Sequence, residues 1–134
     1  MTVSVPVARL SETLVLRWVD AFNARDLPAM LRCLDAGVRF HPLRLSGISG
    51  SYRGHEGVCE WFARMRARHE HRILVAEVQS VGEDQVSVLG SLCLGADPEI
   101  APFCGLHRVR DGRIVSAHHY LTDPDMIESL GLIP

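Results

Sequence analysis

The spacing of apolar residues changes from mainly helical to strand-like at about residue 70 of this chain. Before that point apolar residues recur every fourth position, which gives a helix one apolar face. The first such set is Leu10, Leu14, Trp18 and Phe22. After that point apolar and polar residues alternate through four predicted strands, at 72–80, 85–94, 103–110 and 113–121. Helices followed by sequential strands predict an α+β domain with an antiparallel meander.

Capping residues divide the first half of the chain into three predicted helices. Ser11 is the expected N-cap of the first helix, and Asp26 is the expected N-cap of the second. The second helix should bury Leu34 and end at Gly37. The third should run over residues 54–69, with Val58, Trp61, Phe62 and Met65 as its apolar stripe.

Turn residues separate the remaining elements. Residues 38–41 alternate and predict a short strand, and the glycine-rich residues 43–54 predict a loop at a pocket rim. Asp111-Gly112 predicts a two-residue hairpin between the last two strands. A proline at the first helical position and a glycine at the end predict a short helix at 123–131.

Length and charge limit the classes of protein. The chain has 134 residues, which suits a single domain at 10–134 preceded by a loose arm at 1–9. Lys and Arg total 14 against 16 Asp and Glu, so we expect no nucleic-acid partner. The basic cluster at 64–72 is interpreted as the solvated side of the third helix. The start of the chain has no leader pattern and no long apolar run occurs, so we expect a cytoplasmic protein without membrane contact.

Cysteine spacing gives no support for a metal or redox centre. The four cysteines lie far apart, without a CxxC pair: Cys33, Cys59, Cys93 and Cys104. We therefore expect small buried thiols in a reducing compartment, with no cofactor and no metal.

Four short motifs in a fixed order resemble one superfamily. They are FNARDL at 22–27, VRFHP at 38–42, YRGHEG at 52–57 and VRDGRIV at 109–115. Together they are similar to the nuclear transport factor 2-like superfamily, and most similar to its SnoaL-like polyketide cyclases and ketosteroid isomerases. The resemblance implies a cone-shaped, curved antiparallel sheet packed on three N-terminal helices around an apolar pocket. It also implies a homodimer that forms through the outer sheet face.

The resemblance also assigns positions for chemistry. In ketosteroid isomerases an aspartate base works with a tyrosine and a protonated aspartate. The base position falls at His41, the tyrosine position at Trp18, and the protonated-aspartate position near Gly105. The oxyanion pair is therefore missing, which counts against steroid isomerisation by that mechanism.

Histidines are the candidate catalytic residues. Alternation along the last two strands puts His107 on one face of its strand, and puts His119 on the face opposite to His118 and Tyr120. The resemblance implies that His107 and His119 point into the cone and that His118 and Tyr120 point out. His41 is expected at the side of the pocket. Neutral imidazoles in an apolar pocket can remove a proton beside a carbonyl group. Three histidines can also hold zinc, but their spacing here gives that alternative no support. The expected substrate-binding residues are Trp18, Phe22, Tyr52, Phe62 and Met65.

Two functions therefore stay open. The first is a cofactor-independent isomerase, dehydratase or cyclase that acts on a small apolar carbonyl compound. The second is a non-catalytic module of the same fold that binds a small ligand or dimerises. An inward carboxylate paired with a donor would favour the enzyme, and the sequence presents none. The inward histidines favour the enzyme instead.

Overall fold

The computed structural model describes residues 7–43, 50–68, 70–94 and 99–121. Three helices pack on one open sheet of six strands, so the predicted α+β class is confirmed. The helices are α1 (Val7–Asn23), α2 (Leu27–Cys33) and α3 (Gly54–Arg68). The strands are β1 (Leu34–His41), β2 (Tyr52–Arg53), β3 (His71–Val81), β4 (Gln85–Leu94), β5 (Glu99–Arg110) and β6 (Arg113–Leu121). The helix predicted at 123–131 lies outside the described residues.

The sheet is mixed, which corrects the expected all-antiparallel arrangement. Its strand order is β2-β1-β6-β5-β4-β3, and the four long strands β3 to β6 form the predicted antiparallel meander. β1, however, pairs in parallel with β6. No hairpin joins these two strands, so turn geometry does not dictate their relative direction. Helix α3 packs against β1 in this arrangement.

Helix α1 begins earlier than the sequence predicted. It starts at Val7, so Ser11 lies inside the helix and is not its N-cap. Leu10 is 57% exposed, and the buried face runs through Ser11, Val15, Trp18 and Phe22 instead. The buried stripe therefore starts at Ser11, one residue after the Leu10 that the spacing predicted.

Helix α2 begins as predicted and ends early. The Asp26 carboxylate accepts a hydrogen bond from the Ala29 amide at 3.1 Å, which confirms the N-cap. The helix ends at Cys33, so Leu34 begins β1 and Gly37 lies inside that strand. Leu34 is buried, but as a strand residue. Burial alone does not distinguish the last turn of a helix from the first residue of a strand.

The core lies between the helices and the inner sheet face. Val58, Trp61, Phe62 and Met65 of α3 are all buried, as their spacing predicted. Three cysteines are also buried, and all four are free thiols. Among the described helices, none has both the length and the apolar character needed to cross a membrane.

A glycine in β4 permits the sheet to bend over this core. The register of β3 against β4 shifts between Val75 and Glu77. A Cβ atom added to Gly90 would overlap the carbonyl oxygen of Leu74 on the neighbouring strand. The close approach of the two backbones therefore requires glycine there, as bulged positions commonly do.

Candidate functional site

A small cavity lies between the helices and the concave face of the sheet. The cavity volume is about 10 Å³, which is room for about one water molecule. Its walls are mostly apolar, with two histidines from different strands. The lining residues are Phe22, Pro42, Leu43, Trp61, His71, Ile73 and His119.

His119 occupies the β6 wall of this cavity. Its side chain is 7% exposed, while the preceding residue, His118, faces solvent. Aromatic rings meet the imidazole edge-on, with Phe103 at 5.2 Å and Phe40 at 5.4 Å between ring centroids. Such packing holds the ring in one orientation. The predicted alternation of His118 outward and His119 inward is thus present in β6.

His107 lies behind His119, on β5. It is 1% exposed, and its Nδ1 lies 3.3 Å from the carbonyl oxygen of Val86 on β4. The two imidazole centroids are 5.6 Å apart. A Cβ atom on Gly105 would lie 2.8 Å from Cε1 of His107 and 3.4 Å from Cδ2 of His119. The missing side chain at Gly105 therefore makes the space in which the two rings meet.

Burial keeps both imidazoles neutral near pH 7. Desolvation lowers the pKa of His107 from 6.5 to about 4, although its bond to the Val86 carbonyl acts in the opposite direction. Desolvation also lowers the pKa of His119 well below its usual value, and His107, His118 and His71 lower it further. A neutral imidazole has one lone pair, so each ring can accept a proton.

Three polar atoms in this interior have unfilled hydrogen-bonding capacity. Trp18 Nε1, His107 Nε2 and His119 Nε2 are fully buried and make no hydrogen bond to any described residue. Leaving such an atom unsatisfied costs about 1–3 kcal/mol. Native interiors seldom collect several such atoms without a functional reason or a bound molecule.

His71 is a cavity residue that the sequence analysis missed. It was assigned to the solvated side of α3, but it begins β3 and is 4% exposed. Its ring lies 5.3 Å from the Phe22 ring across the cavity wall. The alternation of His71, Ile73 and Val75 was the available signal, and starting the strand one residue earlier would have revealed it.

Arg25, just after α1, holds this part of β3 from outside. Its guanidinium donates hydrogen bonds to the backbone carbonyls of His71 and Phe22, and lies 4.7 Å from the centroid of the Phe22 ring. Desolvation lowers the pKa of Arg25 from 12.5, while Glu70 raises it. The Arg25 guanidinium lies behind the cavity wall and donates to backbone carbonyls. Its charge is therefore not part of the cavity lining.

The sequence profile of the SnoaL-like domain family matches residues 15–117, which include most of the chain and His107, while His119 follows two residues after the matched range. This chain belongs to the SnoaL-like family. No curated protein matches the sequence at a significant level.

Solved structures share the fold of this SnoaL-like domain at low sequence identity. An NTF2-like protein of unknown function from Burkholderia pseudomallei is 24% identical, with a TM-score of 0.71 over 89% of this chain and 95% of that chain. A putative polyketide cyclase from Xanthomonas campestris is 19% identical, with a TM-score of 0.74 over 87% and 93%. TerC, co-crystallised with polyporic acid, is 20% identical, with a TM-score of 0.73 over 90% and 97%.

His41 of this SnoaL-like domain does not join the inner histidines, which corrects the expected convergence of three imidazoles. Its ring stacks on that of His118, with centroids 4.3 Å apart, and His118 in turn stacks on Tyr120 at 4.7 Å. The parallel register pairs His41 with His118, so both side chains lie on the outer sheet face. The preceding residue, Phe40, takes the inward position.

The expected substrate-binding residues have different positions in the SnoaL-like domain. Phe22 lines the cavity, and Trp18 packs behind it, 6.4 Å from the His119 ring. Phe62 and Met65 are buried in the core but do not line the cavity. Tyr52 lies at a separate surface cleft, where its hydroxyl accepts a 3.4 Å hydrogen bond from Arg64.

The described part of the SnoaL-like domain contains no group of three or more His, Cys, Asp or Glu side chains arranged to hold a metal ion.

Proposed function

We propose that this SnoaL-like domain binds a small, uncharged carbonyl compound in the inner cavity, where His119 transfers a proton. One observation carries the proposal. Trp18 Nε1, His107 Nε2 and His119 Nε2 are buried near one another without a partner among the described residues, and the His119 ring borders the cavity. A ligand with polar atoms would meet the His119 ring, which lines the cavity, whereas Trp18 and His107 lie behind the lining residues.

The chemistry follows from the neutral state of His119. A neutral imidazole takes a proton from the carbon beside the carbonyl, and the electron pair of that C–H bond moves to the carbonyl oxygen as the enolate forms. The indole N–H of Trp18 would donate to that oxygen only after lining side chains move, because Trp18 is fully buried behind the cavity lining. Where the substrate carries a C=C bond conjugated with the enolate, return of the proton to the γ carbon shifts that double bond and isomerises the compound. The described cavity lining includes no carboxylate and no Arg or Lys, which favours an uncharged substrate.

Relatives of the same fold support a small organic ligand. TerC was crystallised with polyporic acid, and structures similar to this chain include a putative polyketide cyclase and a putative ketosteroid isomerase from Kribbella flavida, 16% identical with a TM-score of 0.68 over 90% of this chain and 83% of that chain. At these identities the likeness concerns the fold, so His119 itself carries the proposal for chemistry.

A non-catalytic binding module is the second candidate. The cavity volume of about 10 Å³ favours it, because a carbonyl compound larger than water must first displace side chains. In that case the buried histidines hydrogen-bond a ligand or an ordered water without transferring a proton.

Exchange of carbon-bound protons distinguishes the two candidates. Butanone and cyclopentanone are incubated with the protein in D₂O, and loss of the α-proton signals is followed by NMR. We expect exchange faster than in buffer, lost in His119→Gln and kept in the outward control His118→Gln. Ligand-induced shifts of amide signals without exchange would support the second candidate. Neither exchange nor shifts would contradict both.

We also propose that two copies pair through the outer sheet face. The exposed residues there include Leu89, which is 40% exposed, and His118. The stacked rings of His41, His118 and Tyr120 add a flat aromatic surface to that face, and aromatic side chains are enriched at interfaces.

A further inference from the structure

We propose that His107 is a positioning residue that sets the tautomer of His119, with the proton of His119 on Nε2 and its lone pair on Nδ1. The inference deepens the proposed function, on which it rests for its catalytic meaning. The positions of the ring protons on His107 and His119 can be measured without a ligand.

The tautomer of His107 follows from its partner. The carbonyl oxygen of Val86 can only accept a hydrogen bond, so Nδ1 of His107 must carry the proton that it donates at 3.3 Å. His107 is neutral at pH 7, because its pKa lies near 4. The lone pair of the ring is therefore on Nε2, which is buried and accepts no hydrogen bond from the described residues.

The Nε2 edges of the two histidines border the same gap. The position of a Cβ atom on Gly105 lies 2.8 Å from Cε1 and 3.4 Å from Nε2 of His107, and 3.4 Å from Cδ2 of His119. Cδ2 is bonded directly to Nε2 in the imidazole ring. The rings meet at 64° with centroids 5.6 Å apart, and neither Nε2 has a hydrogen-bond partner among the described residues. A bond between the two Nε2 atoms therefore needs a rotation of the rings or one bridging water.

Complementarity then decides the tautomer of His119. With an acceptor fixed at His107 Nε2, a proton on His119 Nε2 gives one donor facing one acceptor. The opposite tautomer leaves two lone pairs across a buried gap, which is unfavourable where the dielectric is low. The competing influence is the indole N–H of Trp18, whose ring is more distant at 6.4 Å and would favour a lone pair on His119 Nε2.

The consequence for chemistry is directional. His119 keeps its lone pair on Nδ1, the nitrogen that then acts as the base, while the proton on Nε2 is held towards His107. Other titratable groups that act on His119 are His71 and His118, and neither replaces the Val86-fixed acceptor. Gly105 is needed for this pairing, because any side chain there would separate the rings.

The test is the ¹⁵N spectrum of the histidine rings in labelled full-length protein at pH 7. Long-range ¹H–¹⁵N correlations identify which nitrogen of each ring is protonated, and His107→Gln and His119→Gln assign the signals. We expect His107 protonated at Nδ1 and His119 protonated at Nε2. His119 protonated at Nδ1 would overturn the inference and indicate control by Trp18.

Variants at position 107 separate positioning from packing. Gln places an amide oxygen near the original acceptor, so His107→Gln should keep the Nε2 proton on His119. Leu removes the acceptor, so His107→Leu should move His119 to the other tautomer or a mixture, while His118→Gln leaves it unchanged. An unchanged tautomer in His107→Leu contradicts the inference. If the Leu variant does not fold, the wild-type spectrum decides.

The two proposals fail in different ways. The predicted tautomers without ketone exchange would remove the proposed catalysis and leave the positioning pair. Exchange that depends on His119, together with the Nδ1 tautomer, would keep the catalysis and remove the role of His107.

Discussion

The side-chain amide of Asn23 pairs with the backbone of Ile73 as a neighbouring strand would. Its Nδ2 donates to the Ile73 carbonyl and its Oδ1 accepts from the Ile73 amide, each at 2.8 Å. Asn23 is the last residue of α1, and Ile73 lines the cavity. One side chain thus ties the end of the first helix to the strand that presents His71.

Removing this pairing should loosen β3. We expect Asn23→Ala to lower the free energy of unfolding by about 1–3 kcal/mol, because two partly buried backbone groups lose their partners. Urea unfolding measures the loss, and faster hydrogen exchange at the Ile73 amide locates it. Thr13→Ala, which removes an exposed hydrogen bond to Arg9, is the control and should change stability by less than about 0.5 kcal/mol.

The bend of the sheet depends on Gly90. We expect Gly90→Ala to destabilise the protein by more than about 2 kcal/mol, since the added carbon overlaps a backbone oxygen that cannot move alone. Gly37→Ala is a matched control on β1, where the added carbon meets the Asp35 carboxylate at an ordinary 3.5 Å. Thermal and urea unfolding compare the two. Equal stability of both variants would show that the bend tolerates a side chain.

Acid should destabilise the fold through the inner histidines. The pKa of His107 is about 4 when folded and 6.5 when unfolded, so the unfolded state binds more protons between these values. Stability is therefore fully present above pH 6.5 and falls as the pH drops towards 4. The difference between the two pKa values corresponds to roughly 3 kcal/mol of the free energy of unfolding for His107 alone. The lowered pKa of His119 adds to the loss in the same direction.

Urea unfolding at pH 7 and pH 5 measures this dependence. His107→Leu should flatten it, because the ring that must stay neutral is gone. His118→Gln should retain most of it, since His118 is exposed. An equally steep dependence in His107→Leu would mean that other groups cause the acid sensitivity.

If two copies pair through the outer sheet face, a charged substitution on that face should lower the mass of the protein in solution. Leu89→Asp puts a charge on that face, and we expect it to convert a dimer to a monomer in analytical ultracentrifugation. Leu10→Asp is the control, because Leu10 is also an exposed leucine but lies on α1. A monomeric wild type, or a dimer that survives Leu89→Asp, would contradict pairing through this face.

Local periodicity was enough for most of the elements. Alternation in a strand fixes the face of each residue relative to its neighbours. The family resemblance supplied the inward direction of His107 and His119, and both side chains are buried in the structure. The same rule fails at element boundaries. It missed His71 because the strand was started one residue late, and it extended α2 past Cys33.

By itself, then, the sequence determined the α+β class, the antiparallel meander and which residues share a face in β5 and β6, because these follow from spacing between near neighbours. Tertiary structure alone decided what each face meets. The parallel register of β1 on β6 sends His41 outward to His118, and the gap at Gly105 brings His107 against His119. Such contacts join residues far apart in the chain, and only the packing of the whole domain selects them.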